Sequence, residues 1–179
     1  KVALNLNPTN EIALILLGIL YEENGDVPIA IKYYQRSIAA NPLNVNTVLK
    51  LGNYYLRLNR YKEALKLFEK SLKYSPNNLE LLERHAWILS VSSDQSIRDG
   101  KLALTTAKRI SLMRKDNPDQ EIRSVITLAA AYAENDNFSI AINILNSLIN
   151  RAKQTQSDGY IPQIEEMIKL YKQNEFFRI

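Results

Sequence analysis

The feature that most constrains this chain is a spacing. Leu17-Gly18 and Leu51-Gly52 lie 34 residues apart (18 to 52), as do Tyr21 and Tyr55, Ala30 and Ala64, Tyr34 and Phe68, Ser37 and Ser71. Pro8, Pro42 and Pro76 mark the same interval. A chain that repeats itself at a period of roughly 20–50 residues builds an array of like units, each burying its apolar face against its neighbours. Within the unit 45–78, Val48, Leu51, Gly52 and Tyr55 fall on one face of a first helix. Ala64, Phe68 and Ser71 fall on one face of a second. Gly52 and Ala64 let the two helices approach, and Tyr55 and Phe68 fill the space beside them.

The run from Leu51-Gly52 through Tyr55, Ala64 and Phe68 to Pro76 resembles the tetratricopeptide repeat, a helix–turn–helix unit. The resemblance implies an all-α fold: a right-handed superhelical array of about four helical hairpins with a C-terminal cap helix. Residues 1–8 read as the end of an upstream repeat, so we expect a fragment of a longer protein. Residues 9–44 form a repeat that turns at Asn24-Gly25-Asp26, with Pro28 in the first turn of its second helix. Residues 45–78 form the next.

Residues 79–118 form a longer repeat, with Leu82, His85, Ala86 and Leu89 on its first helix and Ala103, Ala107 and Ile110 on its second. The extra residues fall at 92–96. Ser96 followed by Asp99 resembles a capping box, which starts the second helix near Ile97. Asn117-Pro118 closes the unit. Residues 119–153 form a fourth repeat, with Val125, Leu128, Ala129 and Tyr132, then Phe138, Ala141, Leu145 and Leu148, as its core places. A polar loop from 154 to 159 leads to a cap helix from Pro162 to about Gln173, buried through Ile164, Met167, Ile168 and Tyr171. The apolar tail Phe176-Phe177-Arg178-Ile179 is expected to fold back. The segments 86–89, 96–100, 129–134 and 169–172 resemble a bacterial subgroup of the family with a longer third repeat and a C-terminal cap helix.

The composition excludes several kinds of chemistry. No cysteine is present, so disulfides, thiol catalysis and cysteine metal sites are out. His85 is the only histidine and occupies a core place, which leaves no ligand set for a metal. There is no glycine-rich phosphate loop and no nucleophile motif. The paired acids Glu22-Glu23, Glu80 with Glu83, and Glu165-Glu166 read as solvated helix positions. We expect no enzyme activity, no cofactor and no metal. The longest apolar run, Ile12 to Leu20, is too short to span a bilayer. We expect a soluble domain, cytoplasmic rather than periplasmic. The net charge is +4, and its excess lies in 45–78. Lys62, Lys66, Lys70 and Lys73 stripe the second helix there and read as a solvated face. Nucleic acid would call for interleaved aromatics and a broader basic field, so we expect none bound.

The resemblance further implies a concave face lined by first helices, where a protein or peptide partner lies. By register, its outward stripe is Ile12, Ile15 and Ile19, then Asn46, Leu49, Asn53 and Arg57, then Glu80, Glu83, Trp87 and Val91, then Arg123, Ile126 and Ala130. Candidate partner-binding residues are Ile15, Ile19, Leu49, Asn53, Arg57, Arg84, Trp87, Arg123 and Ile126. Aliphatic anchors would give affinity, and the Asn and Arg side chains orientation. The family's clamp for chaperone C-termini is not expected. Ile15 and Ile19 replace its first pair, Lys50 stands in place of its Asn and Glu80 in place of its Lys, and only Arg84 fits. Trp87 has two readings: it packs under the inserted loop, or it stands at the groove wall as an anchor. The alternatives to a scaffold are self-assembly, as a homodimer through Ile12, Ile15 and Ile19, and the non-catalytic recruiting arm of a larger enzyme.

Overall fold

The structure is a computed structural model that describes residues 7–114, 121–155 and 158–179. Among these residues there are helices and turns and no strand. The helices are α1 (Glu11–Glu23), α2 (Val27–Ala40), α3 (Val45–Arg57), α4 (Tyr61–Leu72), α5 (Leu79–Val91), α6 (Gly100–Met113), α7 (Glu121–Ala133), α8 (Phe138–Thr155) and α9 (Ile161–Lys172). A short 3-10 turn, Asp158–Tyr160, precedes α9. The fold is all-α, built of antiparallel helical hairpins. The chain divides into two compact units, residues 1–81 and 82–179. The Asn117-Pro118 close of the third repeat and the first residues of 1–8 lie outside the described residues.

In the first unit, each repeat begins in the same way. The Asn10 side chain accepts the Ala13 N–H at 2.9 Å, and the Asn44 side chain accepts the Thr47 N–H at 3.1 Å. Asn78 repeats the device for α5, accepting from Leu81 at 3.0 Å. Each cap satisfies one of the orphan amides of a helix start. The next repeat is tied to the last through Glu11, whose carboxylate accepts from the side-chain amides of Asn41, at 2.7 Å, and Asn44. The hairpins close on residues in the left-handed region, Gly25 (φ 81°) and Asn59 (φ 56°), again 34 apart (25 to 59).

The helices of each hairpin cross at the glycine. A Cβ placed on Gly18 would lie 2.4 Å from the Tyr34 ring, and one on Gly52 would lie 2.3 Å from the Phe68 ring. Tyr34 and Phe68 are wholly buried. The aromatic ring therefore packs directly against backbone, an approach that any Cβ would block. Val48, Leu51, Tyr55, Ala64 and Ser71 are buried around this contact, as their register requires.

In the second unit this contact is rebuilt from small residues. Ala86, which stands 34 residues after Gly52, and Ala103, Ala107, Ala129 and Ala141 are all buried. The second helix of the third repeat starts at Gly100, later than the Ser96–Asp99 pattern predicts. Asp99 is the cap and accepts the Leu102 N–H at 2.9 Å. Ser96 turns the other way, donating both its N–H and its hydroxyl to Asp94. A tight Asx turn at Asp94 thus competes for the serine and wins. In the fourth repeat, Ala129, Ala141, Leu145 and Leu148 are buried as expected, whereas Val125, Leu128, Tyr132 and Phe138 are half-buried.

The cap helix α9 buries Ile164, Met167, Ile168 and Tyr171 in one cluster with Ala129, Ala133, Leu145 and Leu148. The tail does fold back. Ile179 donates its N–H to the Val91 carbonyl at 3.0 Å and accepts from the Ser93 N–H at 3.1 Å. Val91, expected on the outward stripe, is buried for that reason. Ala130 is buried too, within the cluster that the cap helix completes.

Gly52→Leu is expected to cost about 1–3 kcal/mol by overpacking the Phe68 contact. The midpoint of a urea melt measures it, and an unshifted midpoint would contradict this helix crossing.

Candidate partner-binding site

Four of the nine candidate residues, Arg84, Trp87, Arg123 and Ile126, line one cavity of about 210 Å³ in the second unit. Its remaining walls are Glu83, Thr127, Tyr160 and Gln163. The helical period explains the assembly. Glu83 and Trp87 are one turn apart on α5, and Arg123, Ile126 and Thr127 share a face of α7. Tyr160 and Gln163 come from the start of α9, which Pro162 fixes.

Glu83 is a buried carboxylate with both oxygens engaged. One accepts the Ser124 hydroxyl, and the other pairs with Arg114 Nη2 at 3.1 Å. Arg123 donates from Nε to the Tyr160 hydroxyl at 3.3 Å. Ile126 is only 3% exposed but still contributes wall. Trp87 is half-buried, and its ring meets Phe177 of the tail at a centroid distance of 6.1 Å. The indole therefore packs against the tail, which neither reading of Trp87 had named, and it also lines the cavity.

Phe177 is held there by its neighbour. Arg178 Nη1 donates to the Ser90 carbonyl at 3.0 Å and to Glu134 at 2.6 Å. Arg98 takes the other Glu134 oxygen at 3.0 Å and also donates to the Ser92 carbonyl. Glu134 thus gathers the inserted loop and the tail onto the end of α5.

The other five candidates lie in the first unit. Leu49 is buried, with 7% exposed, so it belongs to the core and presents no surface. Ile15, Ile19 and Asn53 are half-buried, and Arg57 is exposed with its guanidinium 5.8 Å from the Tyr54 ring centroid. The exposed apolar line of α1 is Ile12, Leu16 and Leu20, at 71%, 60% and 50%. Leu16 and Leu20 replace Ile15 and Ile19 on it, because Ile15 and Ile19 lie nearer the side of the helix that Leu14 and Gly18 bury.

Beside Asn53 lies a polar cluster. Glu22 accepts from the Tyr34 hydroxyl at 2.6 Å and pairs with Lys50 Nζ at 2.9 Å. The Tyr54 hydroxyl is buried near the same carboxylate, outside hydrogen-bonding geometry, and feels its charge. Burial works to raise the Glu22 carboxyl, but Tyr34, Tyr54 and Lys50 together outweigh it and hold it below its ordinary value. Burial, then the Glu22 charge, pushes Tyr54 up to about 12 and Tyr34 further in the same direction. Lys50, one of the positions compared with the chaperone clamp, is thus engaged by Glu22.

Glu83, Thr127, Tyr160 and Gln163 were not among the candidates. Glu83, read from the sequence both as a stripe residue and as a solvated acid, is buried instead, because Arg114 and Ser124 take up its two oxygens. Tyr160 and Gln163 sit at a helix start that Pro162 signals, next to a stretch read as loop. Among the described residues, no group of His, Asp or Glu is placed to hold a metal, and no helix is long and apolar enough to cross a membrane.

Two predictions follow from these contacts. Phe177→Ala is expected to uncover Trp87, shifting its emission to the red and raising its quenching by iodide; an unchanged spectrum would show that Phe177 does not cover the indole. The Glu22 cluster sets a pH profile. A lowered carboxyl contributes stability above its ordinary 4.5 that is lost as pH falls below it. A raised tyrosine contributes stability below its ordinary 10.0 that is lost as pH climbs toward 12. In urea melts across pH, Tyr34→Phe is expected to flatten the alkaline loss; a loss as steep as in the parent protein would refute the assignment.

Residues 15–78 match the family model of the tetratricopeptide repeat. No curated protein matches the chain. Among solved structures, the chain is similar to YrrB, a tetratricopeptide-repeat protein with an unusual peptide-binding site: TM-score 0.65 at 19% identity, over 96% of this chain and 82% of that one. It is similar to MamA, with TM-score 0.65 at 13% identity, over 88% of this chain and 86% of that one. The tetratricopeptide domain of P58(IPK) aligns with TM-score 0.53 at 18% identity, over 96% of this chain and 48% of that one. At these identities the likeness is one of fold.

Proposed function

We propose that this tetratricopeptide-repeat chain is a non-catalytic protein-interaction scaffold whose second unit seats a segment of a partner protein in the cavity between α5, α7 and α9. The observation that carries this reading is the convergence of Arg84, Trp87, Arg123 and Ile126 on one concave site. A partly covered tryptophan beside arginines is the composition of an interface hot spot. The peptide-binding site named for YrrB supports the class of ligand. In the first unit, Ile15, Ile19, Asn53 and Arg57 are the first-helix side chains left to contact a partner, and Leu49 serves the core beneath them.

A second reading rests on α1. The line Ile12, Leu16 and Leu20 is an exposed apolar strip, and such strips mark association surfaces. Self-association through Ile12, with Ile15 and Ile19 at its edge, would make the chain a homodimer.

One experiment separates the two. A random-peptide display library is passed over the immobilised chain, and the chain is sedimented in parallel. The scaffold reading expects enriched peptides whose binding is lost in Trp87→Ala and kept in Ile12→Glu, with a monomer in sedimentation. No enrichment, together with a dimer that Ile12→Glu dissolves, would replace it with self-assembly.

A further inference from the structure

We infer that the ledge on which residues 176–179 lie is a second recognition site of this unit, and that a partner segment reading aromatic, aromatic, arginine, aliphatic takes it by displacing the tail. The inference stands on the contacts of the tail and is independent of what enters the cavity.

The tail is seated as a bound peptide is seated. After the turn at Asn174 it has no secondary structure of its own. Ile179 donates its N–H to the Val91 carbonyl at 3.0 Å, and its carbonyl accepts the Ser93 N–H at 3.1 Å. Its backbone thus pairs with the residues on either side of Ser92. Where an extended segment binds in this way, main-chain bonds supply affinity and side-chain contacts supply specificity. Phe177 meets Trp87 at a centroid distance of 6.1 Å, and Phe176 meets Phe138 at 5.2 Å, both tilted. Aromatic pairs at such distances and tilts attract beyond their burial alone.

The third position sets the charge. Arg178 Nη1 donates to Glu134 at 2.6 Å and to the Ser90 carbonyl at 3.0 Å. The guanidinium carbon also lies 4.5 Å from the centroid of the Phe176 ring. The carboxylate and the carbonyl call for a cationic donor, and the ring calls for a planar one, which favours guanidinium over ammonium. A neutral apolar residue here would cover both oxygens without donating to either.

Exchange is feasible because the ledge keeps its charge balance when the tail leaves. Arg98 stays on the other Glu134 oxygen at 3.0 Å, so the carboxylate is not stranded, which is the costly way to break such a pair. Phe176 is already 37% exposed. The tail joins α9 only through residues 173–175, and Asn174 among them has a φ of 57°, uncommon for a residue with a side chain. Short strained hinges invite exchange of the element they carry. Against this, a short link gives the tail an effective concentration on the order of millimolar. A displacing partner therefore has to add contacts beyond these four residues.

The probe is an amidated peptide with the sequence of residues 174–179, labelled with fluorescein and followed by anisotropy against the full chain. It is expected to bind a chain carrying Phe177→Ala and Arg178→Ala, whose own tail has lost its anchors. The unlabelled peptide is expected to bring the Trp87 emission of that variant back toward the blue. The unaltered chain is expected to half-saturate only at about tenfold or more higher concentration, because its tail competes. A peptide with Gln in place of its arginine is expected to bind the variant about tenfold or more weakly, as for the loss of hydrogen bonds to a charged group. If the double variant loses its helical circular dichroism, Arg178→Ala alone serves in its place. Equal binding of the Arg and Gln peptides overturns the inference, as does equal binding to the variant and the unaltered chain, or no binding to either. A dimer of the unaltered chain that Arg178→Ala dissolves would give the ledge to the tail of a second copy, and would overturn it too.

Discussion

The first unit depends on the absence of one carbon atom. At Gly18 and at Gly52, a buried aromatic ring occupies the volume that any other residue would give to its Cβ. That contact sets how closely the two helices of a hairpin approach. It also makes the short turns at Gly25 and Asn59 long enough to join them. Because the ring is wholly buried, the hairpin loses most of its packing if the helices separate by even one methyl group. The asparagine caps and the Glu11 bridge then place the next hairpin at a fixed start. They contribute orientation to a crossing that the glycine has already made possible.

The second unit solves the same problem differently, and it is the unit that holds the cavity. Alanines on both helices give close packing without a large ring. Between the end of α5 at Val91 and the start of α6 at Gly100 runs a loop, which has to be fastened. Glu134 does this by accepting from Arg98 of the loop and Arg178 of the tail. A half-buried carboxylate with one guanidinium on each oxygen is held more firmly than an exposed surface pair. Removing the carboxylate would leave two cations facing backbone carbonyls, which is the costly way to break such a network.

Much of this was legible in the sequence, because the signals were local and periodic. The 34-residue interval located Gly52 opposite Phe68, and the 3.6 period identified all four buried residues of α9. The fold-back of Phe176 to Ile179 was readable from an apolar tail after a helix. The Asn10, Asn44 and Asn78 caps are equally periodic, each two residues after a proline of the same interval. What the sequence could not show was pairing across repeats. Ser124 and Arg114 on Glu83, and Arg98 and Arg178 on Glu134, join residues from different helices whose distance depends on packing. Leu49 and Val91 were assigned outward by register alone. Register gives the face of a helix but not how far neighbours wrap around it, and the tail's wrapping at Val91 depends on tertiary structure. Ser96 failed for a local reason: a capping box and an Asx turn begin with the same kind of residue, and Asp94 decided between them.

The fastening at Glu134 reaches the cavity through a short chain of contacts. Arg178 is fixed to Glu134 and to the Ser90 carbonyl, and Phe177 is its immediate neighbour. Phe177 lies against Trp87, and Trp87 is a wall of the cavity. A tryptophan left uncovered at a helix surface samples several rotamers, and a partner must then immobilise it, at about 0.5–1.5 kcal/mol for a side chain of this kind. With Phe177 on one side the indole is ordered before any partner arrives. The same holds for Arg123, which Tyr160 orients from the start of α9. Trp87 and Arg123 are thus each steadied by a later element of the chain, the tail in one case and the start of α9 in the other. The tail and α9, which pack onto the core of this unit, are therefore also the elements that order the walls of the cavity.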